Sequence, residues 1–202
     1  MNQTTRKKRN RKNKTVKFKR KQGKMYFPDF PNFTPNLTPR EIFSLGSFGG
    51  TYWRPICSTV TGKCYHDVQN KYSFFRDISS KMLSCPQYDK GKNKYKVRVG
   101  TSLEYWEGKH WITKYHPYGW VHWYCDFCLG RRCPDDERQI KRWSSLTGPN
   151  GRFRKFLITQ ILKKNKLNWN DETISPKIRQ VLQHWAYVLT EDDFKHEIRA
   201  RR

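Results

Sequence analysis

The residues best suited by type and spacing to do chemistry lie near the middle of the chain. Three cysteines follow the pattern Cys125-x2-Cys128-x4-Cys133, and His122 stands three residues before the first of them. Thiolate and imidazole groups are ligands that Zn²⁺ readily accepts. The spacing departs from the zinc knuckle C-x2-C-x4-H-x4-C, because Cys133 takes the place of the histidine and Arg138 that of the last ligand. Zinc is therefore a candidate cofactor without a complete set of ligands.

A second interpretation of these cysteines needs no metal. A fourth ligand would have to come from elsewhere in the chain, such as His116 or the group Cys57, Cys64 and His66. Cysteine is among the residues most often buried as a small apolar group, which favours core positions instead. No secretion signal is evident, so we expect the six cysteines to be free thiols or metal ligands in a reducing, intracellular compartment. We predict no cofactor, with zinc as the alternative.

Asp135, Asp136 and Glu137 form the other cluster with chemical potential. Three carboxylates beside a basic surface could hold Mg²⁺, as in metal-dependent nucleases. The same residues follow Pro134, where a helix is expected to begin, and acids in a first turn complement the exposed amides and the helix dipole. The structural interpretation is favoured. No nucleophile-elbow, HExxH, Walker or dinucleotide pattern occurs, so we assign no catalytic residue and expect a protein that is not an enzyme.

Charge sets the expected partner. The 202 residues include 42 Lys and Arg against 17 Asp and Glu, a formal charge of +25. Such an excess predicts a polyanionic partner, which would be DNA, RNA or another polyanion such as an acidic protein. No stretch is long and apolar enough for a membrane span, so no membrane partner is predicted.

Residues 1–24 carry 12 of the basic residues and no acid, with Val16 and Phe18 almost their only large apolar groups. Such a segment buries too little to offset the entropy of ordering, so we predict a disordered basic arm. The arm can lie along phosphates or be bound by a nuclear import receptor, and a merely solubilising tail is the alternative. Its candidate phosphate ligands are Arg6, Lys7, Lys8, Arg9, Arg11 and Lys12.

An amphipathic basic helix is predicted over residues 151–164. Its apolar side would bury Phe153, Phe156, Leu157, Ile161 and Leu162. Its basic side, with two preceding arginines, would form a fixed phosphate-binding surface, although a simply solvated face explains the pattern equally well. The candidate residues of this surface are Arg131, Arg132, Arg152, Arg154, Lys155, Lys163 and Lys164.

Nine aromatic residues stand between Tyr105 and Phe127. Four of them, Trp120, Trp123, Tyr124 and Phe127, have the spacing of one helix face, although a strand with two aromatic faces also fits. Stacked rings could form a platform for nucleic-acid bases. Large aromatics more commonly fill the interior of a small domain, and we favour that interpretation.

Turn and capping signals indicate the remaining elements, and together these predict a mostly helical α+β fold. Prolines and aromatics in residues 25–39 indicate an extended segment that clamps onto the body. Thr38 and Glu41 predict a capping box for a short helix, and Gly49-Gly50 permits backbone geometries closed to other residues. Alternation predicts a strand at residues 95–99, and further helices are expected near residues 101–108, 117–130, 133–145, 175–185 and from 190 onward. We expect a single aromatic-rich domain over residues 25–202.

Several long motifs together resemble an uncharacterised protein family of large eukaryotic DNA viruses and of some fungi and algae. The motifs are PNFTPNLTPREIF, GSFGGTYWRPI, TSLEYW, PYGWVHWYCDFCLGRR, DDERQIKRW, GPNGRFRKFL and SPKIRQVLQHWAYVLTEDDF, which cover most of residues 31–194. The resemblance implies a family-specific domain and a viral or eukaryotic origin. It implies no catalytic residue and no ligand, and it leaves the basic arm outside the matching region.

These observations predict a nucleic-acid-binding protein that acts through phosphate contacts without strong sequence specificity. The first alternative is a structural or genome-packaging virion component, whose charge neutralises a genome. The second is a metal-dependent nuclease. The expected location is intracellular, in the nucleus or in a virion, and not secreted.

Overall fold

The protein has a mostly helical α+β structure, as the sequence predicts. The computed structural model describes residues 18–164 and 168–201. Its strands are β1 (Lys19–Lys21), β2 (Lys24–Tyr26), β3 (Ile56–Ser58) and β4 (Lys63–Tyr65). Its helices are α1 (Pro39–Ser44), α2 (Ser80–Leu83), α3 (Leu103–Gly108), α4 (Trp120–Cys128), α5 (Asp136–Thr147), α6 (Arg152–Lys163), α7 (Pro176–His184) and α8 (Glu191–Ala200). In this described part of the chain, no helix has both the length and the apolar character needed to cross a bilayer.

The first hairpin corrects the predicted extent of the disordered arm. β1 pairs antiparallel with β2, and Phe18 packs against the main hydrophobic core. Arg20 Nη1 lies 2.8 Å from Glu41 Oε1, and Lys24 Nζ lies 2.9 Å from Asp193 Oδ1. The end of the predicted arm is therefore ordered, because an apolar anchor and two ion pairs with distant residues offset the entropy cost that composition alone suggested.

The extended segment at residues 25–39 lays aromatic rings into the core. Phe27 and Phe33 are fully buried. Phe33 meets Phe127 of α4 and Trp143 of α5 edge-on, with ring centroids 5.4 and 5.1 Å away. Edge-to-face pairs stabilise beyond the area that they bury, so this segment is part of the core and not a strap over it.

Asn36 fastens the same segment to the chain that follows α7. Its side-chain amide exchanges two hydrogen bonds with the backbone of Val188, at 2.7 and 2.8 Å. The backbone N–H groups of Asn36 and Leu37 both donate to the carbonyl of Ala186. Because Val188 satisfies both the donor and the acceptor of this side-chain amide, the two bonds fix the chain around Val188 beside Asn36.

Buried apolar side chains form two clusters. The larger draws on residues from Met25 to Trp143 together with Ala186, and α4 lies within it. The smaller consists of Leu157, Ile158, Ile161, Ile174, Leu182, Tyr187, Leu189 and Phe194. Within the larger cluster, the indole Nε1 of Trp143 donates to the carbonyl of Trp185 at 3.0 Å, which ties α5 to the end of α7.

The predicted capping box and glycine pair are confirmed. Thr38 Oγ1 accepts from the N–H of Glu41, and Glu41 Oε2 accepts from the N–H of Thr38 at 2.7 Å. Gly50 has φ +81°, and a Cβ at this residue would lie 2.3 Å from the carbonyl oxygen of Lys81. Glycine is required here both for the left-handed backbone and for the close approach of a neighbouring chain segment.

The predicted strand at residues 95–99 does not form. Lys96 has φ +55°, outside the extended region. The side-chain amide of Asn93 donates to the carbonyl of Val97 at 2.5 Å, which closes a turn. Alternation of apolar and charged residues cannot reveal that a local side chain satisfies the backbone in place of a partner strand.

Two of the six cysteines are not free thiols, contrary to expectation. Cys57 and Cys64 form a disulfide between β3 and β4. They are directly opposite each other in the antiparallel register, where Cα atoms come closest together. Their spacing of seven residues pointed to this pairing only once the hairpin between them was known.

The basic helix forms as α6, but its buried face differs from the predicted one. Leu157 is fully buried, as predicted, whereas Phe156 is 47% exposed. Ile158 takes the core position instead. The buried face is centred on the contacts with α7 and α8, which the periodicity of one helix cannot locate.

The neighbouring positions 156 and 157 allow a paired test of this face. Leu157→Ala should lower the free energy of unfolding by about 2–5 kcal/mol, because it leaves a cavity at a fully buried site. Phe156→Ala removes a larger side chain from an exposed site and should change the free energy of unfolding by less than about 1 kcal/mol. Urea denaturation of the two variants measures both values, and equal losses would show that the face is assigned wrongly.

The hairpin allows a second test. A chain that begins at residue 25 should unfold at a lower temperature than one that begins at Phe18, by roughly 4–8 °C for a loss of about 2 kcal/mol in a domain of this size. The loss comes from the Phe18 contacts and from the ion pairs of Arg20 and Lys24. Equal midpoints in calorimetry would show that residues 18–24 add nothing to the fold.

Candidate functional site

The zinc candidates serve the core in this structure. Cys125 and Cys128 are buried in α4, and burial raises the pKa of both thiols. Cys133 Sγ donates to Asp136 Oδ1 at 3.3 Å. His122 is buried as well, and this burial lowers its pKa to about 3. Over residues 18–164 and 168–201, no three His, Cys, Asp or Glu side chains are grouped so that they could hold a metal ion.

The carboxylates considered for Mg²⁺ are occupied by structural contacts. Asp135 Oδ1 accepts from Arg138 Nε at 2.5 Å. Asp136 Oδ1 accepts from the indole Nε1 of Trp123 at 2.7 Å, and both acids are buried at the start of α5. Glu137 is exposed in the first turn of α5. The helix begins at Asp136 and not at Pro134, and the side chain of Asp135 makes no capping bond to it. Contacts with other side chains and with the N–H of Cys133 therefore account for the two buried acids.

Two of the predicted phosphate ligands already bind carboxylates. Arg131 Nη1 lies 2.5 Å from Asp126 Oδ1, and Arg132 Nε lies 2.6 Å from Asp29 Oδ2. The guanidinium of Arg132 also lies 3.8 Å from the ring centroid of Phe127. A phosphate would have to displace these partners, so Arg131 and Arg132 are less favourable ligands than their sequence position indicates.

Arg154 is a clear correction to the predicted surface. It is buried and not exposed, with Nη2 3.0 Å from Asp193 Oδ1 of α8 and its guanidinium 5.3 Å from the ring of Tyr187. A buried arginine needs such a partner, and the carboxylate comes from a helix nearly forty residues away in sequence. Arg154 therefore joins α6 to α8 and does not face solvent.

The remaining candidates divide into two groups. Arg152 and Lys163 of α6 and Lys164, directly after it, are exposed, and Lys155 is half-buried. The arm candidates Arg6, Lys7, Lys8, Arg9, Arg11 and Lys12 lie outside the described residues.

A pair of adjoining cavities forms the candidate site. They measure about 480 and 390 Å³ and open among α3, α5, α7 and the turn before α4. Both volumes are within the range of ~300–1,000 Å³ that small-molecule sites occupy. The residues that line both cavities, and so form one continuous wall, are Phe48, Tyr52, Gly100, Thr101, Trp106, Tyr118 and His184.

Aromatic rings make up much of the wall of the larger cavity. Trp111 and Tyr105 are 41% and 45% exposed, and their rings meet edge-on with centroids 5.8 Å apart. The nine aromatics of this stretch therefore differ in exposure: α4 supplies core rings, whereas Tyr105 and Trp111 are partly exposed at the cavity. The other rings of the larger cavity are Phe48, Tyr52, Trp106, Tyr118, Trp120, Phe153 and Trp185.

Four arginines line the cavities. Arg54 and Arg98 border the smaller one, and Arg142 and Arg152 border the larger. The described residues that line either cavity include no Asp or Glu. Nor does any of these four guanidinium groups form an ion pair with a carboxylate in the described part of the chain; their contacts are with rings and with neutral oxygens. The site is therefore cationic and aromatic together.

Arg142 has the most constrained position of the four. Its guanidinium carbon lies 5.5 Å from the ring of Trp111 and 5.3 Å from that of Trp185. Nη1 donates to Gln139 Oε1 at 3.0 Å. Burial, with the nearby charge of Arg138, lowers the pKa of Arg142 to about 10, so the group remains protonated at neutral pH. Indole faces hold this cation in place and leave donors for an anion.

Hydrogen bonds fix the aromatic wall beneath the arginines. Tyr52 donates its hydroxyl proton to the carbonyl of Tyr118 at 2.6 Å and accepts from the N–H of His122 at 2.9 Å. The hydroxyl of Tyr118 donates in turn to the carbonyl of Arg54 at 2.9 Å. With their hydroxyls committed, both tyrosines offer only ring surface to the cavity, and the chain that carries Arg54 is held in place.

His184 closes the wall between the two cavities. Its ring stacks on Phe48 with centroids 3.9 Å apart, and Nε2 accepts from the backbone N–H of Phe48 at 3.3 Å. An imidazole that accepts at Nε2 carries its proton on Nδ1. Burial lowers the pKa of His184 to about 3, so the ring is neutral at physiological pH.

Sequence reasoning did not identify Arg54, Arg98 or Arg142. The first and last stand beside tryptophans, in Trp53-Arg54 and Arg142-Trp143, and an arginine next to an aromatic is a signal for cation–π contact. That signal is weak, because the rings that Arg142 contacts are those of Trp111 and Trp185 and not its neighbour's. Only the fold brings these segments together.

Comparison with protein-family models, with curated proteins and with solved structures finds no match to this chain. The resemblance to a family of large DNA viruses therefore remains a prediction from the motifs. The site has to be interpreted from its own geometry and charge.

The two buried histidines predict how stability depends on pH. In the folded protein, burial lowers the pKa of His122 and of His184 to about 3. In the unfolded chain each histidine has its ordinary pKa, near 6.5. Between these two pH values each histidine is therefore protonated in the unfolded state and neutral in the folded state. Stability should fall as the pH is lowered from about 6.5, with a slope approaching about 1.4 kcal/mol per pH unit for each histidine. Above pH 7 this effect vanishes.

Urea denaturation of the protein at pH 7.5, 6 and 5 measures this slope. His184→Gln should retain a smaller slope than the unsubstituted chain over this range, whatever its stability at pH 7.5. An identical slope in the variant would show that His184 titrates normally in the folded state.

Proposed function

We propose that this protein binds nucleic acid through phosphate contacts, without strong sequence specificity. The observation that carries the proposal is the set of cavity arginines, Arg54, Arg98, Arg142 and Arg152, none of which forms an ion pair with a carboxylate in the described part of the chain. Arginine presents planar donors that match phosphate oxygens. Most of the contacts expected of such a protein would be to the backbone, which carries no sequence information.

The overall charge supports the same partner. A formal charge of +25 on 202 residues favours association with a polyanion at long range. Lys163 of α6 and Lys164, directly after it, are exposed and would extend the contact surface beyond Arg152. Arg154 has no part in the proposal, because its ion pair with Asp193 is buried.

Three further proposals accompany this function. The cavities draw on residues from both hydrophobic clusters, including Phe153 of α6 and Trp106 of α3, so we treat residues 25–202 as one functional unit. The polyanion would be met in the nucleus or in a virion. The motifs point to an origin in large DNA viruses or eukaryotes.

The main alternative to a dedicated site is genome packaging by charge alone. The structure suggests an experiment that distinguishes the two. A packaging protein would lose affinity in proportion to the charge removed, wherever that charge lies. A protein with a dedicated site would be more sensitive to the arginines of the cavities than to equally exposed basic residues elsewhere.

The test compares two double variants that each remove two positive charges. Arg98→Gln with Arg152→Gln changes two exposed cavity residues, and Lys177→Gln with Arg199→Gln changes two exposed residues of α7 and α8. The cavity variant should bind DNA or RNA roughly tenfold more weakly at 0.1 M salt and should reduce the salt slope by about two. Fluorescence anisotropy over a range of salt concentrations measures both quantities.

The control variant should keep most of its affinity. Equal losses in the two variants would favour packaging by diffuse charge. Unchanged binding in the cavity variant, with DNA, RNA and heparin all tested, would refute the proposed site.

A further inference from the structure

We propose that the larger cavity receives an unpaired base, and that the protein's preferred ligand is therefore single-stranded nucleic acid and not duplex. This inference rests on the proposed function and specifies its substrate class. It depends on the contacts around Trp111 and Arg142, where exposed rings lie beside a guanidinium that forms no ion pair in the described part of the chain.

The exposed ring of Trp111 is held in a fixed orientation beside the larger cavity. Trp111 is 41% exposed although it lies beside a core that buries most other tryptophans of the chain. Its edge-on contact with Tyr105 and its contact with Arg142 hold the ring in one orientation. An exposed indole that is held in place is the arrangement on which a base stacks, since every base has a flat π face.

Two arginines border the same cavity as these rings. Arg142 lies between Trp111 and Trp185, within 5.5 Å of each ring centroid, and Arg152 borders the same cavity. A base inserted against the indoles would bring its own phosphate toward these two arginines. One nucleotide would thereby stack its base on the aromatic wall and place its phosphate beside Arg142 and Arg152.

A DNA or RNA duplex cannot make the same contact with the rings. In a duplex the faces of each base are covered by its neighbours, and only edges and phosphates are accessible. A cavity of about 480 Å³ lined by Trp106, Trp111 and Trp185 offers ring faces, which a stacked base cannot use without leaving the helix. Unpaired bases need no such opening, so single strands should bind more tightly.

The experiment measures the affinity of the full chain for four fluorescent probes of equal length. These are oligo(dT), oligo(rU), a single strand of abasic sugar-phosphate units, and a duplex. The unsubstituted protein should bind oligo(dT) or oligo(rU) about tenfold more tightly than the abasic strand, which carries the same phosphates without bases. Because oligo(dT) and oligo(rU) differ in the C5-methyl group as well as in the sugar, tighter binding of either one over the abasic strand supports the inference.

Two variants assign the effect to the cavity. Trp111→Ala should reduce the preference for bases over abasic units to near one, whereas Phe156→Ala, which removes an aromatic side chain of similar exposure that lines neither cavity, should leave it unchanged. Arg142→Gln should weaken binding to all four probes. Thermal midpoints by circular dichroism confirm that each variant is folded.

The outcomes separate the two proposals. Equal affinity for oligo(dT), oligo(rU) and the abasic strand, or equal affinity for single strand and duplex, would overturn base insertion and leave phosphate binding intact. A base preference that survives Trp111→Ala would place the base elsewhere and would also overturn the inference. Absence of binding to all four probes would refute the proposed function itself.

Discussion

The position of residues 25–37 inside the fold is the constraint on which the rest of the structure depends. Phe33 occupies the space between α4 and α5, with Phe127 and Trp143 edge-on to its ring. Asn36 then holds the chain at Val188 by two hydrogen bonds. Because that chain directly follows α7, these bonds help to set where Trp185 lies relative to α5 and therefore the distance between its ring and Arg142. Residues 27–37, which form neither helix nor strand, thus join the main hydrophobic cluster to the chain that follows α7 and help to shape the cavity.

Local features could be predicted from the sequence where a few adjacent residues determine them. The capping box of Thr38 and Glu41 is complete within four residues, and Gly50 adopts the backbone that only glycine tolerates easily. The predictions at Phe156 and Arg154 were wrong because the deciding partners lie elsewhere in the fold: the side chains of α7 and α8, and the carboxylate of Asp193. The strand predicted at residues 95–99 was wrong for a local reason, because the side chain of Asn93 closes a turn there. Periodicity identifies a helix more reliably than it identifies what the helix packs against.

The cavity lay beyond the reach of the sequence for the same reason. Its wall draws on α3, α5, α7 and the turns between them, so no single motif contains it. The basic residues that attract attention in the sequence are those in runs, such as Arg131-Arg132, and these turn out to be neutralised by Asp126 and Asp29. Arg54, Arg142 and Arg152 instead stand next to an aromatic residue in the sequence. Which arginines form an ion pair and which do not is decided by residues that the fold brings together, so the sequence alone cannot separate the two groups.

Three arginines that are largely withdrawn from solvent show how this fold treats a buried cation. Arg154 is neutralised by Asp193, and Arg179 donates to the backbone carbonyls of Ile174 and Trp169. Both arrangements satisfy the guanidinium from within the protein, which is how a purely structural arginine is stabilised. Arg142 is likewise hydrogen-bonded from within the protein, to Gln139 Oε1 and to the carbonyl of Trp111, and burial lowers the pKa of Arg142 as it lowers that of Arg179. Arg142 differs in its position, because it is only half-buried and lines the larger cavity. It is therefore the one of these three guanidinium groups whose remaining donors an anion in the cavity could reach.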